Sequence, residues 1–168
     1  GLCSSVLRIL IDHARERRNV AALVGELNQA LHDCLRERHG NLFATGFFLV
    51  LDPEGTATYT SAAHPSILLR RGGGAIEELS SLGLPIGLFP EVTYTSRTLR
   101  LGAGDALLLY TDGLVESTGM DGEPFGLGRL RRLLSESLAD SERLATRVYR
   151  AVAARRDMAK LEDDVTYL

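Results

Sequence analysis

Leu107-Leu108-Leu109-Tyr110-Thr111-Asp112-Gly113 is the stretch on which the reading of this chain turns. It is an apolar run that stops abruptly at a carboxylate followed by glycine. Core strands end on solvent, so a buried strand here predicts Asp112 at the edge of a sheet, with Gly113 letting the backbone turn tightly and another group approach closely. Upstream, further short strands are expected at Ser66–Arg70, Ile76–Leu79, Val92–Leu101 and Ala106–Tyr110, separated by Gly72-Gly73-Gly74, by Gly83 to Pro90 and by Gly102-Ala103-Gly104-Asp105. Before them, Phe43 to Leu51 is a dense apolar run too short and too rich in aromatic and β-branched residues for a helix. Asp52-Pro53-Glu54-Gly55 then turns the chain and Thr56 to Ser61 alternates as a returning strand, which together make a hairpin.

Helical periodicity brackets these strands. Leu2, Val6, Ile9, Leu10 and His13 lie on one face of a helix beginning near residue 1. After Asn19, whose side chain suits a helix N-terminus, Leu23, Val24, Leu27, Leu31, Cys34 and Leu35 repeat the stripe through about residue 37. An antiparallel helix pair is the expectation. Past Gly126 the same period returns in Leu127, Leu130, Leu133, Leu134 and Leu138, and again in Leu144, Val148 and Val152, with Asp140 or Ser141 as cap. Val165–Leu168 is read as a closing strand. Helices, strands, helices and a strand, in that order, predict an α+β sandwich of antiparallel sheets covered by helices.

Composition bounds the function. With 168 residues, 45% hydrophobic and 24% charged, the chain can bury a core as one domain over residues 1–168. The formal net charge of -3 and the absence of a dense Lys/Arg run argue against a nucleic-acid binder, whose affinity comes from clustered cations. No apolar stretch approaches the ~20 residues that span a bilayer and no signal-peptide pattern opens the chain, so a cytoplasmic location is expected. Cys3 and Cys34 lack a C-x-x-C or His-rich neighbourhood and are expected as reduced core thiols. Neither offers the Cys-x5-Arg loop of thiol phosphatases.

A second acidic segment, Glu162-Asp163-Asp164-Val165-Thr166, sets adjacent carboxylates before an apolar strand. Like charges side by side repel, and a hard divalent cation such as Mg²⁺ or Mn²⁺ removes the repulsion through carboxylate oxygens. Strand ends far apart in sequence, each carrying acid, can thus share one metal cluster. Taken singly, an Asp-Gly at a strand end is a turn and an Asp-Asp pair near a C-terminus is solvated surface. Together with the order of elements they carry more.

The collinear set of short segments resembles the SpoIIE/RsbU branch of the metal-dependent protein phosphatases, bacterial relatives of the eukaryotic type 2C enzymes. Asn28-Gln29-Ala30-Leu31 resembles its LN..L helix signature, Phe43-Ala44-Thr45 through Asp52 its F.T....vlD segment, and Ser61-Ala62-Ala63-His64-Pro65 its naGHpP, with Ala63 where the family has Gly. Gly83-Leu84-Pro85-Ile86-Gly87-Leu88 resembles G.PLG, and Leu101-Gly102-Ala103-Gly104-Asp105 resembles L.pGD. Tyr110-Thr111-Asp112-Gly113-Leu114-Val115-Glu116 resembles yTDGv.E, Gly122-Glu123-Pro124-Phe125-Gly126 resembles GE.fG, and Asp163-Asp164-Val165-Thr166 resembles DDiT.

The resemblance implies a type 2C-like α-β-β-α sandwich that dephosphorylates phosphoserine or phosphothreonine on a partner protein. It implies an anti-sigma-factor antagonist of the STAS type as that partner, and two Mn²⁺ or Mg²⁺ ions as cofactors. It makes Asp112 and Asp163 metal ligands, Asp164 a further ligand or one behind them, and Gly113 the residue that permits close packing at the site. The family's remaining ligand is the aspartate of a G-D-x-S-G-H-G motif. Gly1 resembles that motif's last glycine, so the early strands and that aspartate are expected to precede this chain, leaving a sheet edge that favours pairing with another copy or poor solubility. His64 and Asp105 are read as turn residues, and Glu116 and Glu123 as surface or substrate-facing. A phosphatase-like module that binds a signalling partner without turnover is the alternative from another class.

Overall fold

The structure, a computed structural model, describes residues 19–36, 42–80, 83–136 and 141–154. The expected first helix, the closing strand at Val165–Leu168, Cys3, Asp140, Asp163 and Asp164 lie outside the described residues. The chain divides into two compact units, Gly1–His64 with Ser81–Leu101, and Pro65–Ser80 with Gly102–Leu168.

In the first unit, helix α1 (Val20–Arg36) packs on a sheet formed by β1 (Gly46–Leu51), β2 (Thr56–Ala62) and β5 (Arg97–Arg100) in the order β1-β2-β5. Asn19 caps α1 as the sequence predicts: its Oδ1 accepts from the Ala21 amide at 2.9 Å and from Ser96 Oγ at 3.0 Å. Such a cap contributes about 1 kcal/mol. Ala21, Val24 and Leu27 bury against Ala62, Ile86 and Tyr94 to form this unit's core. The β1–β2 hairpin is antiparallel, with Gly46 opposite Ala62 and Leu51 opposite Ala57. Its turn closes because Asp52 Oδ1 accepts from the Thr56 amide at 2.7 Å and because Gly55 adopts φ 84°, where an added Cβ would meet the Leu101 carbonyl oxygen at 2.8 Å.

In this unit two strand expectations need correction. The run from Phe43 yields a strand only from Gly46, because Ala44 pairs instead with Ile86 and leaves Leu42 and Phe43 exposed. The expected Val92–Leu101 strand is confined to Arg97–Arg100. Its first half is held by side chains: Thr60 Oγ1 bonds the Thr95 carbonyl at 3.1 Å and the Ser96 hydroxyl at 2.9 Å, so no backbone ladder forms there.

In the second unit, β3 (Ile67–Arg70) lies between β4 (Ile76–Leu79) and β6 (Ala106–Leu108), both antiparallel to it. Helices α2 (Asp112–Glu116), α3 (Leu127–Ser135) and α4 (Ser141–Ala153) follow. Leu68 and Leu108 share a core with Tyr110, Leu114, Phe125, Leu130, Leu134, Leu144, Val148 and Val152, the helical positions having the spacing read from sequence. Strand β6 is shorter than the Ala106–Tyr110 span expected. Among the described residues no helix is long and apolar enough to cross a membrane, and Cys34 is a free thiol.

Ala63 occupies a backbone conformation that favours glycine. It follows β2 with φ 52°, in the left-handed region, and its amide donates to the Gly83 carbonyl at 2.8 Å. A Cβ there costs roughly 1–2 kcal/mol, and glycine's greater freedom in the unfolded chain returns part of that. Ala63→Gly is therefore expected to stabilise the protein by about 0.5–1 kcal/mol, read as a raised urea midpoint at unchanged m-value. A lower midpoint would show that the left-handed backbone at this position carries no strain.

Candidate active site

Strand β6 leaves the sheet through Tyr110, which is buried at 4% exposure, and Thr111, whose extended backbone (φ -89°, ψ 159°) precedes α2. Asp112 is the first residue of that five-residue helix and is exposed. Gly113 and Leu114 immediately behind it are buried. The expectation of an exposed carboxylate after a core strand holds with two revisions: β6 ends at Leu108, four residues before Asp112, and the turn is the first turn of a helix within which Gly113 is right-handed. The Gly113 amide donates to Asp112 Oδ1 at 3.0 Å, and the Leu114 amide donates to the Thr111 carbonyl at 3.0 Å. Burial of Leu114 at 0% exposure in the core anchors the turn, so the Asp112 backbone is set by packing behind it.

Asp105 is a turn residue, as read, and a more connected one than the sequence suggests. Its Oδ2 accepts from the Gly102 amide at 3.0 Å and from Arg71 Nη1 at 2.9 Å, while its Oδ1 accepts from the Gly72 amide at 2.8 Å. Arg71 in turn makes a forked contact with Glu77, at 2.8 and 3.1 Å. The backbone amides of Gly102 and Gly72, then Arg71, hold the Asp105 carboxyl below its usual range. Arg71 lowers the Glu77 carboxyl likewise, and the Arg71 guanidinium is raised by Glu77 and Asp105. This cluster joins the turn after β3 to the turn before β6.

His64 is half-buried in the first unit, its ring 6.3 Å from and tilted against that of Phe47, which stacks on Tyr59 at 5.2 Å. Glu116 ends α2 and Glu123 follows it, both exposed. Asn28 is the residue whose role the sequence reading missed. It is buried at 1% exposure; its Oδ1 accepts from the Gly87 amide at 2.8 Å and Tyr94 OH at 3.3 Å, and its Nδ2 donates to the Phe89 carbonyl at 3.0 Å. The signal was an amide in the middle of an apolar helical stripe.

As a site for a divalent cation, Asp112 has suitable chemistry. It is a hard oxygen donor, exposed, and among the described residues it accepts only from the Gly113 amide. Asp112 is one such donor, and the described residues include no group of three or more His, Cys, Asp or Glu side chains placed to hold a metal.

The fold is that of PP2C phosphatase domains, an α+β arrangement with two antiparallel sheets and helices. The SiaA-PP2C domain of Pseudomonas aeruginosa superposes with TM-score 0.76 at 24% identity over 99% of this chain and 67% of that one. RsbX, solved in complex with magnesium, superposes with TM-score 0.69 at 17% identity over 99% of this chain and 70% of that one. The family model for stage II sporulation protein E (SpoIIE) matches residues 1–168, and the chain belongs to this family of PP2C-type serine phosphatase domains. Among curated relatives, protein IcfG of Synechocystis is 28% identical over 140 residues, 82% of this chain and 22% of that protein. The phosphoserine phosphatase RsbP of Bacillus subtilis is 30% identical over 125 residues, 70% of this chain and 31% of that protein. The chain therefore spans between a fifth and a third of these relatives' length.

The Asp105 cluster makes a pH-dependent contribution to stability. Because the folded carboxyl is depressed, that contribution is complete above the unfolded aspartate value of about 4 and is lost as the pH falls through the folded value. Asp105→Asn should be less stable than wild type at pH 7, with the gap narrowing steadily below pH 4 in urea titrations. A gap independent of pH would exclude a charge-dependent role for Asp105.

Proposed function

We propose that this domain removes phosphate from phosphoserine or phosphothreonine on a partner regulatory protein, an anti-sigma-factor antagonist of the STAS type, in the cytoplasm. The observation that carries the reading is Asp112: an exposed carboxylate opening the short helix that follows a core strand, set by a buried helical turn and engaged only by its neighbour's amide among the described residues. Family membership over residues 1–168 supports the reaction class.

Asp112 and Asp163 would hold Mn²⁺ or Mg²⁺, two ions being expected, with Asp164 beside them. RsbX was solved with magnesium, which supports that choice. A divalent cation supplies Lewis-acid charge to a phosphate ester and acidifies water, so that no covalent enzyme intermediate is needed. The chain's own work is positional. Leu114 and Tyr110 fix the turn in the core, the Gly113 amide orients one oxygen of Asp112, and Gly113 itself is buried next to the carboxylate.

The test uses the full-length protein. Asp112→Asn and Asp163→Asn should each lower turnover of p-nitrophenyl phosphate in Mn²⁺ by at least about a hundredfold, given that even residues behind metal ligands cost 10–100-fold. At the exposed Asp112, stability should stay within about 0.5 kcal/mol. Near wild-type turnover by both variants would sink the ligand assignment. A wild-type protein that binds a phosphorylated STAS protein without turnover would instead make this a binding module.

A further inference from the structure

Directly after α2 the chain makes an excursion from Ser117 to Gly126 that the candidate active site does not use. It is a small hairpin: Thr118 bridges Pro124, the Gly119 amide donates to the Glu123 carbonyl at 2.9 Å, and the Gly122 amide donates to the Gly119 carbonyl at 3.0 Å with Gly122 at φ 76°. Both feet are fixed. Ser117, 8% exposed, bonds the Leu114 carbonyl through Oγ at 2.8 Å. The Phe125 amide donates to the Ser117 carbonyl and the Gly126 amide to the Val115 carbonyl, each at 2.8 Å, and the Phe125 ring is 2% exposed in the core. Arg129 clamps the second foot by donating to the Pro124 and Phe125 carbonyls at 2.7 and 2.9 Å.

The tip contrasts with its feet. Met120 is 83% exposed, more than any other large apolar side chain among the described residues, and a Cβ added at the neighbouring Gly122 would meet nothing within 4 Å. A single exposed apolar side chain is ordinary on a protein surface. Here, however, it sits on a turn that several backbone bonds hold rigid, so its position relative to Asp112 is set in advance. Preorganisation of this kind lowers the ordering cost of binding, and methionine adapts to varied apolar surfaces.

Distance decides what the tip can reach. From Asp112 to Glu116 the helix rises about 6 Å, and the four further residue steps to Met120 add at most about 14 Å. Met120 therefore lies within about 20 Å of Asp112. A protein docked over the site covers about 800 Å² per partner, a disc roughly 30 Å across. A folded polypeptide presenting a phosphoserine at Asp112 has the breadth to cover the tip as well.

We propose that the Ser117–Gly126 hairpin docks the protein surrounding the phosphorylated residue, with Met120 as its apolar contact and specificity determinant. The proposal rests on the phosphatase reading of Asp112 and adds to it the means by which a protein substrate is chosen over a small ester. Continuity with the candidate site argues for this occupant, since the hairpin's first foot hydrogen-bonds to the helix that Asp112 opens.

The full-length protein is assayed in Mn²⁺ with p-nitrophenyl phosphate and with a serine-phosphorylated STAS protein. Met120→Glu should raise KM for the phosphoprotein at least tenfold with kcat little changed, leave p-nitrophenyl phosphate turnover and thermal stability at wild-type values, and Met120→Leu should restore most of the lost affinity. Unchanged phosphoprotein kinetics in Met120→Glu overturn the docking proposal while leaving the phosphatase reading standing. So does a wild type that turns over p-nitrophenyl phosphate but not the phosphoprotein, or a wild-type dimer that Met120→Glu dissociates without altering phosphoprotein kinetics, which would assign the tip to a self-interface. Absence of turnover of both substrates by wild type defeats the phosphatase reading, and the docking proposal with it.

Discussion

The contact between the Asp105 carboxylate and the amides of Gly72 and Gly102 is the constraint on which the placement of Asp112 depends. Strand β6 is short and meets β3 over Ala106 to Leu108 only. A slip of one residue in so short a ladder would turn Leu108 away from the core and move the strand's end by about 3.3 Å. Asp105 prevents the slip by binding the turn after β3 to the turn from which β6 starts, with Arg71 on the same carboxylate and Glu77 on the same guanidinium. The close approach also needs Gly72 to lack a side chain, since a Cβ there would meet the Ala103 carbonyl oxygen at 2.9 Å. Packing of Leu108, Tyr110 and Leu114 then carries the register forward to Asp112.

The first unit solves a similar problem with an uncharged group. The segment from Gly83 to Pro90 forms no regular strand, and its polar backbone needs partners where it is buried. Asn28 supplies an acceptor for the Gly87 amide and a donor for the Phe89 carbonyl from within an apolar helix face. A buried amide without partners would cost more than its hydrogen bonds return, so all of these bonds matter together. Gly87 is part of the same arrangement: at φ 86° it brings its backbone so close to α1 that a Cβ would meet the Leu31 side chain at 2.9 Å.

What could be read from the sequence divides along physical lines. The stripe through Val24 and Leu27, the Asn19 cap, the Asp52–Gly55 turn and the helices after Gly126 are local in origin, and the structure reproduces them. The strand starts at Phe43 and Val92 were misread because partners distant in sequence decide them: the Ile86 backbone pairs with Ala44, and the Thr60 hydroxyl bonds Thr95 and Ser96. The same limit explains Asn28 and Arg71, whose partners lie at long sequence separation and leave no periodic trace. Asp112 was legible because an apolar run interrupted by a carboxylate and glycine has few structural solutions. The tight turn ascribed to Gly113 proved to be helical, since Leu114 is pulled into the core directly after it.

Saturation of hydrogen bonds separates the acidic residues by role. Asp105 receives two backbone amides and a guanidinium, and Asp52 is engaged by the Thr56 amide and hydroxyl and by the Glu54 amide; both carboxyls are held below their usual range by those donors. A carboxylate so engaged has little capacity left for a ligand, and removing it from its donors would expose them unpaired. Asp112 accepts from one backbone amide among the described residues and faces solvent, while its backbone is held by buried neighbours. Rigid placement with unspent acceptor capacity is the condition a metal-binding or substrate-binding oxygen must meet. The architectural aspartates fail it for the same reason that they stabilise the fold: their oxygens are already committed to the turns they close.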